Sequence, residues 1–135
     1  MTNLEAVSPG SNRLGLVVAV VAAALSLMAG LARAEEVSPE AKAEAETVWQ
    51  TRCTTCHGAT GRGDGPAAVA LTPKPRDFSV AAWQASVTDE HLNKVVVGGG
   101  QAVGLSMMMT ANPDLASKPE VVKALVAHVR SLSAK

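Results

Sequence analysis

From residue 38 onward, apolar positions recur every three or four residues in three stretches, separated by long segments rich in glycine, proline and polar residues. The first stretch opens at Ser38-Pro39-Glu40, a capping serine followed by proline at the first helical position. Ala45, Val48, Trp49 and Cys53 then fall on one face at helical spacing, which predicts a helix ending near the cysteines. A second, shorter helix is predicted from Thr88-Asp89-Glu90, with Leu92, Val95 and Val96 as its apolar positions and Gly98-Gly99-Gly100 as its end. The third opens at Ser117-Lys118-Pro119-Glu120 and carries the clearest apolar stripe of the chain, Val122, Leu125, Val129 and Leu132. Between these, GATGRGDGPAAVALTPKPRDF (58–78) leaves little room for a long regular element, and a further loop carries Met107-Met108-Met109. No strand-like alternation competes, so the fold class is all-α, with helices joined by long Gly- and Pro-rich loops. Loops of that length in a small domain are usually functional or disordered.

Upstream of residue 38 the pattern changes. An uninterrupted apolar run, LGLVVAVVAAALSLMAGL, extends from Leu14 to Leu31 after Arg13, and Ala32-Arg33-Ala34 supplies small residues at both outer positions of an A-x-A cleavage pattern. Residues 1–34 therefore read as a secretory signal peptide and residues 35–135 as one exported domain, periplasmic in the bacterial setting. At about 18 residues the run also touches the lower limit for a bilayer span, so an uncleaved anchor holding the domain on the outer face of the membrane is the competing reading.

A domain of about 100 residues has room for only a modest core. This one is short of large side chains: it has Trp49, Phe78 and Trp83, no tyrosine, and otherwise mainly Ala, Val and Leu. Domains this small usually gain stability from a disulfide, a metal or another added body. A disulfide between Cys53 and Cys56 would close only a tiny loop, so something else should fill the interior. The 12 basic and 12 acidic residues balance to a formal charge of +0, and with so few aromatics nucleic-acid binding has no support.

The two cysteines of the chain stand together in Cys53-Thr54-Thr55-Cys56-His57, the attachment pattern of c-type haem. Two thiols at this spacing can add to the two vinyl groups of one porphyrin edge, and the adjacent imidazole can then point a nitrogen at the iron. The porphyrin would also supply the large apolar body that the side chains lack. A thioredoxin-like redox pair would want a βαβ context, which the helical pattern does not offer. Half of a zinc site would want further ligands, and His91 and His128 stand far away without paired spacing.

On these residues the chain resembles the class I c-type cytochromes. The resemblance covers nearly all of the chain after the leader and rests on the order of its parts: a helix leading into CTTCHG, the loop GATGRGDGPAA, the segment TPKPRDF, the stretch GGGQAVGLS, a methionine loop, and a final helix LVAHVRSL. It implies a cytochrome c-like fold of three to four helices wrapped around one covalent haem c, with Val48 and Trp49 of the first helix packed on Leu125, Val129 and Leu132 of the last. It also implies His57 as one axial ligand of the iron and a methionine opposite. The family pattern G-L-S-x-x-M-P, laid on Gly104-Leu105-Ser106, selects Met109, although Thr110 stands where the proline should be and the rigid φ after the ligand is lost. Met107 and Met108 are the alternatives, and His91 or His128 would serve a bis-histidine site. The competing bland reading makes all three methionines flexible apolar fillers packed on a haem face. By the same resemblance, the carbonyl of Pro66 would hold the other nitrogen of His57, and Arg76 or Trp83 would bind a haem propionate.

Two protein ligands leave the iron no open position, so the expected function is single-electron transfer between redox proteins that dock transiently, with no small-molecule substrate and no enzymatic turnover. Lys74, Lys94 and Lys118 could guide docking, though the neutral total argues against strong steering. Two other functions stay open: a gas sensor or peroxidase-like protein with a labile methionine, and a haem subunit of a larger oxidoreductase.

Overall fold

The computed structural model describes residues 36–133, so the leader lies outside the described residues. Among the described residues the regular structure is entirely helical, as the pattern predicts, and no helix is long and apolar enough to cross a membrane.

The first helix, α1, runs from Pro39 to His57 in three continuous parts: α-helix over Pro39–Val48, a π-helical turn over Trp49–Cys53, and a last α-turn over Thr54–His57. It begins where the sequence places it, with Ser38 Oγ accepting from the Ala41 amide at 3.3 Å. The π-turn is absent from a 3.6-residue reading. It carries the Thr54 amide to the carbonyl of Trp49, five residues back, while the hydroxyls of Thr47, Thr51 and Thr54 bond the carbonyls of Ala43, Thr47 and Gln50. Such hydroxyl back-bonding bends helices, and π-turns occur often at functional sites. Its effect is to break the regular register: Ala45, Val48 and Trp49 are buried, but Cys53 emerges half-buried.

A short helix that the sequence pattern did not reveal, α2, spans Ala81–Ser86; its helix-forming AAWQAS is too short for a periodic signal. The next, α3, spans Asp89–Gly98, with Thr88 Oγ1 accepting from the His91 amide at 3.1 Å and Gly99, at φ 73°, ending it. Short 3-10 turns follow at Gly100–Val103 and Pro113–Ser117, and the last helix, α4, spans Pro119–Ser131.

The core lies where α1 packs on α4 and where α3 closes against α4. Val48, Trp49, Leu125 and Val129 are buried in one apolar cluster, and Leu132 packs partly buried against it, which is the contact expected of the first and last helices. All three aromatics gather at this core: Trp49 and Phe78 lie 6.3 Å apart, and Phe78 and Trp83 5.2 Å apart, centre to centre. Leu125 is 2 % exposed. Its truncation in Leu125→Ala is expected to cost about 2–5 kcal/mol, read as a lowered midpoint of urea unfolding; a loss below about 1 kcal/mol would mean the two helices do not depend on each other there.

Candidate haem-binding site

The end of α1 is built by its own loop. The last four carbonyls of a helix lack intrahelical partners. Here each finds an amide: Gly58 donates to Thr54, Ala67 to Thr55, Gly65 to Cys56 and Gly63 to His57, at 2.8–3.1 Å. The glycines make that wrap possible. A Cβ on Gly65 would run into the carbonyls of Thr54 and Thr55, and one on Gly63 into the carbonyl of Pro75.

Cys53, Cys56 and His57 all sit on this clamped helix end, half-buried, and both thiols are free. Burial pushes the Cys53 thiol up to about 11, with the nearby Cys56 adding to the shift and Arg52 opposing it, so the sulfur stays protonated in neutral solution. His57 Nδ1 lies 3.3 Å from the carbonyl oxygen of Arg76. A carbonyl can only accept, so Nδ1 carries the proton and Nε2 is left with its lone pair. Arg76 thus takes the place that the sequence suggested for Pro66, because the close approach of Gly63 to Pro75 brings the 75–78 segment back over the helix end. Burial lowers the pKa of the imidazole below its ordinary 6.5, and the bond to Arg76 offsets part of that. The His57 ring stacks on Phe78 at 4.5 Å and 17°. The side chain of Arg76 lies 5.8 Å above the Trp83 ring.

The methionine loop separates its three sulfurs. Met107 and Met108 are 71 % and 59 % exposed, whereas Met109 is half-buried. Both backbone groups of Met109 are engaged: its amide donates to Ser106 O at 3.2 Å and its carbonyl accepts from the Gly100 amide at 2.9 Å. Gly99 and Gly100 do more than end α3, since a Cβ on either would strike the backbone of this loop, at Met109–Ala111 and at Ser106. What stiffens the chain after Met109, in place of the missing proline, is Asn112. Its amide and side-chain nitrogen donate to Val97 O and Val96 O at 2.9 and 2.8 Å. Arg52, next to Cys53, reaches across to Asn112 Oδ1 at 3.3 Å and to both carboxylate oxygens of Asp114 at 2.9 and 3.0 Å, tying the cysteine-bearing helix to the far end of the methionine loop.

The remaining candidates are placed elsewhere. His128 packs its ring 4.5 Å from Trp49 with Nδ1 3.8 Å from Glu46, inside the contact of α1 with α4, and His91 lies in the first turn of α3. Among the described residues no group of three or more His, Cys, Asp or Glu side chains converges as a metal site. The lysines considered for docking are engaged within the chain, Lys74 with Ala68 O, Lys94 with Glu90 and Lys118 with Glu44.

Residues 42–133 match the family model described as Cytochrome c. The chain belongs to the cytochrome c family. Among curated proteins, none matches the chain. Cytochromes c carry covalently attached haem c and generally serve as electron carriers, and the donor set described above fits that group. Two free thiols stand at the right spacing, an imidazole has one nitrogen engaged and the other available, and a half-buried thioether waits on a restrained loop. Haem-based electron transfer is therefore the chemistry of this cytochrome c domain.

The Arg52–Asp114 tie has a direct test. Hydrogen bonding from Arg52 holds the Asp114 carboxyl below its ordinary 3.8. A carboxyl depressed on folding contributes stability above its unfolded pKa, and loses that contribution as pH falls through the folded value. Carboxyl-carbon NMR should give Asp114 a midpoint below 3.8, and Arg52→Met should raise it toward 3.8; an unmoved midpoint would mean the pair is not formed in solution.

Proposed function

We propose that the chain is an exported, monohaem electron carrier whose haem would be held covalently by Cys53 and Cys56, with His57 and Met109 as the residues that would bind its iron. The observation that carries the reading is the engagement of His57 Nδ1 by Arg76 O at the end of the helix bearing both thiols, which orients the ring and leaves Nε2 to face a metal. When bound, the haem supplies a one-electron Fe(III)/Fe(II) couple. Every other part of the task falls to the chain. Cys53 and Cys56 would fix the porphyrin edge to α1, and the loop amides at 63, 65 and 67 keep that helix end from fraying. Met109 is favoured over its two neighbours because it alone of the three is half-buried and has both backbone groups bonded. A soft thioether favours the reduced ion, which raises the potential relative to a bis-histidine site.

The reading of export is supported by the apolar run Leu14–Leu31 and the Ala32-Arg33-Ala34 pattern, with the domain in the periplasm or otherwise outside the cytoplasm, free after cleavage or anchored if the leader is kept. Its partners are redox proteins that dock transiently. The neutral charge balance and the internally engaged lysines favour docking by shape over long-range steering.

The matured protein should stain for haem on a denaturing gel, with a mass lacking the first 34 residues. Its oxidised form should show the weak near-infrared band of sulfur-bound ferric iron. Met109→Ala should abolish that band and let carbon monoxide change the spectrum of the reduced protein within mixing time, while Met107→Ala and Met108→Ala leave both properties intact. A colourless wild-type protein would end the haem reading. A band that survives Met109→Ala would move the ligand to one of its neighbours, and immediate carbon monoxide binding by the wild type would favour a sensor over a carrier.

A further inference from the structure

Gln84 is the buried polar side chain in the core of the described residues, 9 % exposed, and both its amide nitrogen and its amide oxygen are bonded. Nε2 donates to the carbonyls of Phe78 and Val129, both at 2.8 Å, and Oε1 accepts from Arg130 Nη1 at 3.0 Å. Arg130 extends the network from α4. Its Nη1 also donates to the Gln84 carbonyl at 2.6 Å, Nη2 to Val87 O at 2.8 Å and to Asp89 Oδ1 at 2.7 Å, and Nε to Asp89 Oδ1 at 2.8 Å. One guanidinium thus joins α2, the link after it and the start of α3 to the last helix.

Stability alone could explain such a network, since a buried amide left without partners is costly. Its position says more. One of the two carbonyls that Gln84 grips belongs to Phe78, two residues beyond Arg76, whose carbonyl accepts the hydrogen bond from His57 Nδ1. The ring of the same Phe78 stacks on His57. Trp83, adjacent to Gln84 on α2, lies against both Phe78 and the Arg76 guanidinium. From the opposite side the Phe78 amide donates to Gly61 O at 2.7 Å, and Gly63 abuts Pro75. The three residues 76–78 are therefore held from both sides, and they in turn hold the imidazole.

We infer that Gln84 and Arg130 are positioning residues for His57: acting through Phe78 and the Arg76 carbonyl, they set the strength of the Nδ1–H···O bond and with it the reduction potential of the protein. The inference rests on His57 being the haem ligand. A firmer bond to Nδ1–H makes the imidazole a stronger donor, which favours the oxidised metal, so loosening the 76–78 segment raises the potential.

The experiment uses the haem-loaded protein and three variants. Gln84→Met keeps the volume of the side chain and removes its hydrogen bonds; Arg130→Lys keeps the charge but cannot reach the same acceptors at once. Val121→Ala, a buried position at the other end of α4, serves as a control for general destabilisation. In the reduced protein, solvent exchange of the His57 Nδ1 proton is expected to speed up about three- to tenfold in Gln84→Met, as for loss of most of one hydrogen bond, with a raised reduction potential. Arg130→Lys should move both readouts the same way by less, and Val121→Ala should lower the unfolding temperature while moving neither. If Gln84→Met and Arg130→Lys lose thermal stability but keep the wild-type exchange rate and potential, the positioning role is overturned and the network is merely structural. Should Gln84→Met not fold, the same two readouts on Arg130→Lys decide. A wild-type protein that carries haem but in which His57 Nε2 still titrates freely would overturn the ligand assignment instead.

Discussion

The structure depends on how α1 ends. The last carbonyls of a helix have no partner within it, and here the loop that follows supplies an amide to each of the last four, on a helix end that is only half-buried. That arrangement explains why GATGRGDG is so rich in glycine: the backbone has to come close enough to donate, and at Gly63 and Gly65 a side chain would collide with carbonyl oxygens. The loop that looks irregular in sequence is a cap built from main chain. It turns the residues Cys53–His57, which must meet a rigid planar body in a fixed orientation, into a stiff edge.

Two further ties convert that edge into a site. The returning segment 75–78 places Arg76 O against His57 Nδ1, which fixes the tautomer and aims Nε2 outward. On the other side Arg52 links the same helix to Asn112 and Asp114, and so to the loop that carries Met109. Arg52 and Asp114 are each close to half exposed, where an isolated ion pair adds little stability; the value of this one lies in the geometry it sets, with Nη1 of Arg52 shared between both carboxylate oxygens and Asn112 Oδ1. Electron transfer asks for little reorganisation when charge moves, and the segments carrying Arg76 and Met109 are both tied to the end of the same helix.

The helices were legible because their caps and stripes are local. Ser38-Pro39, Thr88-Asp89 and Lys118-Pro119 each begin a helix where the sequence indicates one, and Val122, Leu125 and Val129 of the predicted stripe are buried, with Leu132 partly buried beyond the helix end. The cysteines and His57 were legible because their chemistry is compressed into five residues. Other features were hidden, for reasons that can be stated. The π-turn depends on threonine hydroxyls competing for carbonyls, a choice that apolar periodicity does not record. The helix Ala81–Ser86 is too short to show a period. The partner of His57 is a carbonyl, which any residue carries, so only the path of the chain selects Arg76 over Pro66. Gln84 and Arg130 stand 46 positions apart, and nothing local marks them as partners. In the sequence only register separates Met109 from Met107 and Met108; in the fold Met109 also differs from them in being half-buried where they are exposed.

The most direct test of this account is amide hydrogen exchange on the haem-loaded protein, residue by residue, at Gly63, Gly65 and Ala67. If their amides close the end of α1, they should be protected to within about tenfold of the Leu125 and Val126 amides in the core of the last helix, despite lying in a loop. Exchange as fast as that of the exposed turn at Gly104 would contradict the account, because the helix end would then be held by something other than its own loop.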